Sequence, residues 1–211
     1  IYGRRKVFIH GVLIFTLSSL LLAVSNSAAV FISLRVLQGI GGAMIFSTGV
    51  AILTSIFPVG ERGKAIGINT ASVYIGLSLG PFVGGFLTQN FGWRSIFLVN
   101  VPIGLTILVL IFWKLKGEWS GARGEKFDFR GSILYGLALI AVMYGLSLLP
   151  EASGTFLVLA GILGMVSFVW WEMRIRYPIL DMNLFRNNRV FLFSNLAALI
   201  NYSATYAVVF L

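Results

Sequence analysis

One charged residue lies well inside an apolar run of this chain. Arg35 sits about two turns into the stretch from Ala28 to Phe57, where an arginine costs on the order of 2.5–3.5 kcal/mol to insert into a bilayer unless it is paired or hydrated. At about 100° per residue, Gln38, Gly39, Gly42, Phe46 and Gly49 fall within about 60° of it. That face is polar at one end and bare beyond, so it is expected to look towards other helices. Such a cation can tune or pair with a carboxylate during proton coupling; it can equally snorkel outward or make a static hydrogen bond. All seven acids, namely Glu61, Glu118, Glu125, Asp128, Glu151, Glu172 and Asp181, fall in loops or at the ends of apolar runs. No titrating acid therefore accompanies Arg35 within a span, although a proton-coupled carrier generally needs one. His10 reads as an interfacial histidine, and Glu172 beside Arg174 and Arg176 as an interfacial ion pair. No nucleophile with its base, no metal-ligand cluster and no phosphate-cradling loop is visible. The sequence thus predicts no enzyme, no metal site and no cofactor.

The second constellation is GLSLGPFVGG, from Gly76 to Gly85, inside an apolar run from Ala65 to Leu87 that is long enough to cross a bilayer. Gly76, Gly80 and Gly84 share a narrow stripe at helical spacing. A stripe of bare backbone lets another helix approach closely, because association in lipid depends on packing between small residues. Pro81 removes one backbone donor and tends to bend the helix. The spacing fits a bent helix at a moving seam between bundles, and it fits ordinary small-residue packing.

These residues have to be positioned by membrane-spanning elements. The 211 residues are 58% hydrophobic and only 11% charged, against about 25% charged in a soluble domain, and mean hydropathy is +0.93. There is no cysteine, so disulfides and thiolate metal sites are excluded. Seven apolar segments are predicted, about Val7 to Val24, Ala28 to Phe57, Ala65 to Leu87, Ile96 to Leu115, Gly131 to Leu149, Phe156 to Trp171 and Val190 to Leu211. No sustained period-two alternation of the kind a barrel needs is present, and no heptad pattern is evident. Because the sequence opens on Ile1 and stops within an apolar run, it reads as a fragment. Arg4, Arg5 and Lys6 ahead of an apolar stretch mimic a signal peptide, but six more apolar segments follow.

The net charge of +9 reports loop placement rather than nucleic-acid binding. Arg4, Arg5, Lys6, Arg62, Lys64, Lys114, Lys116, Arg123, Lys126, Arg130, Arg174, Arg176, Arg186 and Arg189 fall on one side of the predicted membrane, and Arg94 alone on the other. By the positive-inside rule the residue-1 end is expected to be cytoplasmic. The tryptophans Trp93, Trp113, Trp119, Trp170 and Trp171 lie near segment ends, as interfacial rings should. The polar connection from Lys116 to Phe129 is the expected boundary between two bundles.

Five stretches carry a family resemblance. Gly76, Gly80, Pro81, Gly84 and Gly85 resemble the GxxxGPxxGG antiporter motif of drug:proton antiporters in the major facilitator superfamily. LRVLQGIGGA, with Arg35, Gln38, Gly39 and Gly41, is similar to the family's fourth-helix motif, whose arginine is implicated in proton transfer. Gly3, Arg4, Arg5 and Lys6 match the tail of the GxxxDRxGRRK loop. GWRSIFLVNVPIG, with Trp93, Arg94, Phe97, Asn100, Pro102 and Gly104, resembles the sixth helix of the fourteen-helix branch. FDFRGSILYGLALIAV, followed by Glu172, Pro178, Leu184, Phe185 and Arg186, resembles the helical hairpin inserted between the two halves of that branch.

The resemblance implies an all-α, polytopic bundle of the facilitator type, seen here as seven transmembrane helices corresponding to family helices three to nine. Residues 1–115 would belong to the N-terminal bundle, 116–189 to a linker and inserted hairpin, and 190–211 to the first helix of the C-terminal bundle. It implies a multi-pass protein of the cell membrane that exchanges protons for amphipathic or cationic small molecules by alternating access. Arg35 and Gln38 would serve proton coupling, and Gly39, Gly42, Gly76, Gly80, Pro81, Gly84 and Gly85 would serve gating and helix packing. Gly3, Arg4, Arg5 and Lys6 would form the cytoplasmic loop motif, and Asn100 could line the pore. Its partners would be the substrate, protons and the bilayer, with no nucleic acid. Two alternatives stay open: a facilitator for a siderophore, metabolite or lipid, and a non-transporting scaffold or sensor on the same fold.

Overall fold

Apolar runs that must satisfy their own backbone in lipid have helix as the available solution for a single segment, and helix is what forms. A computed structural model of the chain describes residues 3–119 and 127–210, with side chains through 204. Arg123, Glu125, Lys126 and Leu211 lie outside them. The helices are α1 (Arg4–Val24), α2 (Ala28–Ile56), α3 (Arg62–Phe91), α4 (Ser95–Leu98), α5 (Asn100–Lys114), α6 (Phe129–Ser147), α7 (Ala152–Glu172), α8 (Met182–Asn187) and α9 (Arg189–Phe210). Among the described residues six spans are long and apolar enough to cross a membrane: α1, α2, α3, the α4–α5 pair as Ser95–Lys114, α6 and α7. The seventh predicted segment is helical as α9.

The fourth predicted segment is divided at Val99 into α4 and α5. Pro102 explains the irregularity, since it has no N–H to give the Leu98 carbonyl four residues earlier. Pro81, by contrast, is accommodated within an unbroken α3. That helix ends at Gly92, whose φ of 79° suits glycine and whose N–H closes on Thr88 O at 3.0 Å.

The chain forms two compact units, Ile1–Arg123 and Gly124–Leu211. In the first, α1 is the central helix, packed against α2, α5 and α4. Its buried face carries Gly11, Val12, Thr16, Ser18, Ser19, Leu22 and Ala23, and Val12 meets Leu108 and Ile111 of α5 in the apolar core. The small residues let backbones come close: a Cβ on Gly41 would lie 2.7 Å from Phe15 N, and one on Gly11 would lie 3.0 Å from Gly41 O. The α1–α2 seam is therefore a backbone-to-backbone contact, which only glycine permits.

Within this chain the close approach does not involve the stripes singled out from the sequence. Gly39, Gly76, Gly80, Gly84 and Gly85 have no heavy atom within 4 Å of a Cβ position, and Gly42 reaches only the Phe15 ring at 4.0 Å. None of the described residues of α3 is buried, because its contacts with α2 and α4 are slight. The inward face of α2 is Gln38, Gly41, Thr48 and Ile52, rather than the Phe46 side, where Phe46 is 73% exposed.

In the second unit α6 and α7 form an antiparallel hairpin. Gly131, Ala138 and Gly145 of α6 and Gly154, Gly161 and Phe168 of α7 are buried along one seam. Each set repeats every seven residues, which keeps it on one helix face over two turns, so a seven-residue pattern is present after all. A Cβ on Gly154 would lie 2.7 Å from Gly145 O, and one on Gly161 would lie 2.8 Å from Val142 N.

Candidate functional site

Arg35 and Gln38 are one turn apart on α2, and the structure brings them together. The Arg35 guanidinium donates from Nη1 to Gln38 Oε1, Gln38 Nε2 donates to Ser19 Oγ at 2.7 Å, and Ser19 Oγ donates to Phe15 O at 2.7 Å. Gln38 is 3% exposed and Ser19 fully buried, so this relay is enclosed at the α1–α2 seam, where hydrogen bonds compete little with water. Arg35 itself is exposed. Its Cζ lies 6.0 Å from the centroid of the Phe97 ring on α4, within reach of a cation–π interaction. The rest of the guanidinium has no acceptor among the described residues and can meet a further carboxylate.

An aromatic bracket supports this end of the bundle. Phe31, Trp93 and Phe97 meet edge to face at 5.8, 5.6 and 6.2 Å, a favoured arrangement for ring quadrupoles. Arg94 covers Trp93 at 4.4 Å and donates from Nη2 to Ser25 O and Asn26 Oδ1, each at 3.0 Å. The α3–α4 turn is thereby tied to the α1–α2 turn. The sequence reading missed this bracket, although two of its rings belong to the GWRSIFLVNVPIG motif.

At the other end of α1 the basic triplet is held in place. Gly3 has φ of 88° and is buried; a Cβ there would run into the Glu118 carboxylate. Glu118 Oε1 accepts from Arg5 N at 3.0 Å, and Trp119 O accepts from Arg4 N at 2.8 Å. These are first-turn amides with no helical acceptor of their own, and a carboxylate suits the positive end of the helix dipole. Arg4 Nη1 donates to Ala51 O at 2.8 Å and to Ser55 Oγ, so it ties α1 to α2. Lys6 is exposed. His10 donates from Nδ1 to Lys6 O at 2.7 Å.

Asn100 donates from Nδ2 to Ile96 O at 3.2 Å, satisfying its amide within its own helical segment. Between α1, α2, α3 and α5 lies an apolar cavity of about 520 Å³, walled by residues such as Phe8, Ile45, Leu53 and Ile107, with Asn69 contributing an amide.

Glu172 does not form the expected ion pair. It is 2% exposed, and its Oε2 accepts from Leu180 N at 2.8 Å, while Arg174 stacks over Trp170 at 3.6 Å and Arg176 over Tyr177 at 5.6 Å. Asp128, also buried, caps α6 by accepting from Gly131 N at 3.0 Å and accepts from Trp171 Nε1 at 2.9 Å. This cap was legible as Asp-x-x-Gly ahead of an apolar run. Among the described residues no group of three or more histidines, cysteines or acids could hold a metal ion.

Comparison with known proteins agrees with this architecture. The chain is 36% identical over 193 residues to multidrug resistance protein Stp of Mycobacterium tuberculosis (strain CDC 1551 / Oshkosh), covering 89% of this chain and 36% of that protein. It is 33% identical over 212 residues to riboflavin transporter RibZ of Clostridioides difficile (strain 630), covering 99% and 45%. It is 31% identical over 191 residues to the tetracenomycin C resistance and export protein of Streptomyces glaucescens, covering 88% and 36%. The chain thus spans between about a third and just under half the length of these relatives. The Major Facilitator Superfamily model matches residues 1–211, and with its helices long enough to cross a membrane the chain is a multi-pass membrane protein belonging to that superfamily of transporters.

Proposed function

We propose that this chain is part of a proton-coupled exporter of amphipathic, often cationic toxic compounds, working by alternating access. The observation that carries the reading is the Arg35–Gln38–Ser19 relay. Arg35 is the charge farthest from any helix end, and it is held by a buried glutamine while keeping guanidinium donors open. Keeping such a cation within a span is costly, and a carboxylate that exchanges a proton would compensate it. Two relatives named for drug resistance or export support the substrate class.

In this reading 1–115 belongs to the first bundle, 116–189 to a linker and inserted hairpin, and 190–211 to the second bundle, with the residue-1 end in the cytoplasm. Gly76, Gly80, Pro81, Gly84 and Gly85 would then meet helices of the complete transporter at the gate. Asn100 would turn towards the pore only by releasing Ile96 O.

The test is Arg35→Ala in the complete gene product, read as substrate-stimulated proton release from inverted vesicles across a panel of cationic dyes. Loss of proton release with normal membrane insertion is expected. Undiminished coupling would remove Arg35 from the mechanism. The relative named as a riboflavin transporter favours a second reading, carriage of a metabolite; riboflavin uptake or efflux without a dye response would select it.

A further inference from the structure

At the end of the α6–α7 hairpin where both helices meet their polar connections there is a cavity of about 650 Å³, within the size range of small-molecule sites. Its walls include Phe127, Phe129, Trp171 and Tyr177, together with Arg130, Arg176 and the buried carboxylate of Asp128. Both arginines are exposed, and neither has a hydrogen-bond acceptor or carboxylate partner among the described residues. The nearest acids do not pair with them: Asp128 spends its oxygens on Gly131 N and Trp171 Nε1, and Glu172 accepts from Leu180 N through Oε2, while its buried Oε1 has no partner among the described residues.

Two further features adjoin this cavity. Trp170 and Trp171 end α7, with Arg174 laid over Trp170 at 3.6 Å, the pairing of amphipathic ring and cation found at the level of lipid headgroups. From the same end, the exposed apolar side chains Ile133, Leu137 and Ile140 run along α6. A ligand suited to this surface carries a compact anion at one end and hydrocarbon at the other.

We propose that this cavity binds the phosphodiester headgroup of an anionic phospholipid, with Arg130 and Arg176 on the phosphate and the acyl chains along α6. Guanidinium is suited to phosphate because its donors form a planar fork. Aromatic walls take the glycerol and upper chain carbons. The site is separate from the Arg35 relay and does not depend on the transport reading. Each arginine near an anionic headgroup contributes roughly a 5-fold preference, and the two together about 30-fold.

The chain released from micelles containing equal phosphatidylglycerol and phosphatidylcholine is examined by native mass spectrometry. Wild type is expected to retain phosphatidylglycerol preferentially. R130Q and R176Q should each lower that preference roughly 5-fold and the double variant abolish it, while R130K/R176K keeps most of it and Arg62→Gln in the other unit changes nothing. Equal retention of the two lipids by wild type, or a preference unchanged in both single variants, overturns the proposal. Displacement of the lipid by millimolar inorganic phosphate would assign the site to a free anion and overturn it as well.

Discussion

Gly41→Ala is the sharpest perturbation of the α1–α2 seam. The new methyl would lie 2.7 Å from Phe15 N, 2.9 Å from Gly11 O and 3.1 Å from Phe15 Cα. All three are backbone atoms, so no side chain can rotate away and α1 must move as a body. Overpacking of this kind costs about 1–3 kcal/mol. The shift also stretches the nearby Gln38–Ser19 hydrogen bond, now 2.7 Å, for a further cost of about 1 kcal/mol. Alanine returns up to about 1 kcal/mol in helix propensity. The net expectation is a destabilisation of about 2 kcal/mol, roughly 30-fold in the unfolding equilibrium. Gly84→Ala is the matched control, because no atom lies within 4 Å of its Cβ position; it should be neutral or stabilising by up to about 1 kcal/mol. Both are measured on this chain in detergent by denaturant titration followed by circular dichroism. Equal stability of the two variants would refute the assignment of the close seam to α1 and α2.

Other outcomes follow from single contacts. Glu118→Ala removes the side-chain acceptor of Arg5 N, so destabilisation of about 1 kcal/mol is expected, with faster hydrogen exchange confined to the first turn of α1. Unchanged exchange there would show that the carboxylate caps nothing. Trp171→Phe leaves Asp128 Oδ2 without its indole donor in a buried site and should cost about 1–3 kcal/mol, whereas Trp170→Phe should cost less than about 1 kcal/mol because its partner is an exposed arginine. Thermal melts of the two variants that coincide would contradict the Asp128–Trp171 bond.

The pattern of apolar runs determined by itself that this is an all-helical membrane protein, and it placed most helices within a few residues of where they form. Span length and backbone satisfaction in lipid leave few alternatives, so that much is a one-dimensional property. Local chemistry was legible too: Arg35 and Gln38 are one turn apart, and a helix alone brings them together. What the sequence could not decide was which small-residue stripe meets a partner. Glycines at positions 76, 80 and 84 and at 11 and 41 look alike as a string, and the latter pair became a seam because α1 sits between α2 and α5, giving two bare backbones to one contact. The same holds for Glu118, Asp128 and Glu172. Each sits beside basic residues in sequence and each was bound instead by a backbone or indole N–H supplied by the fold, since a carboxylate partly or wholly withdrawn from solvent takes the donors present at that point rather than the charge nearest to it along the chain.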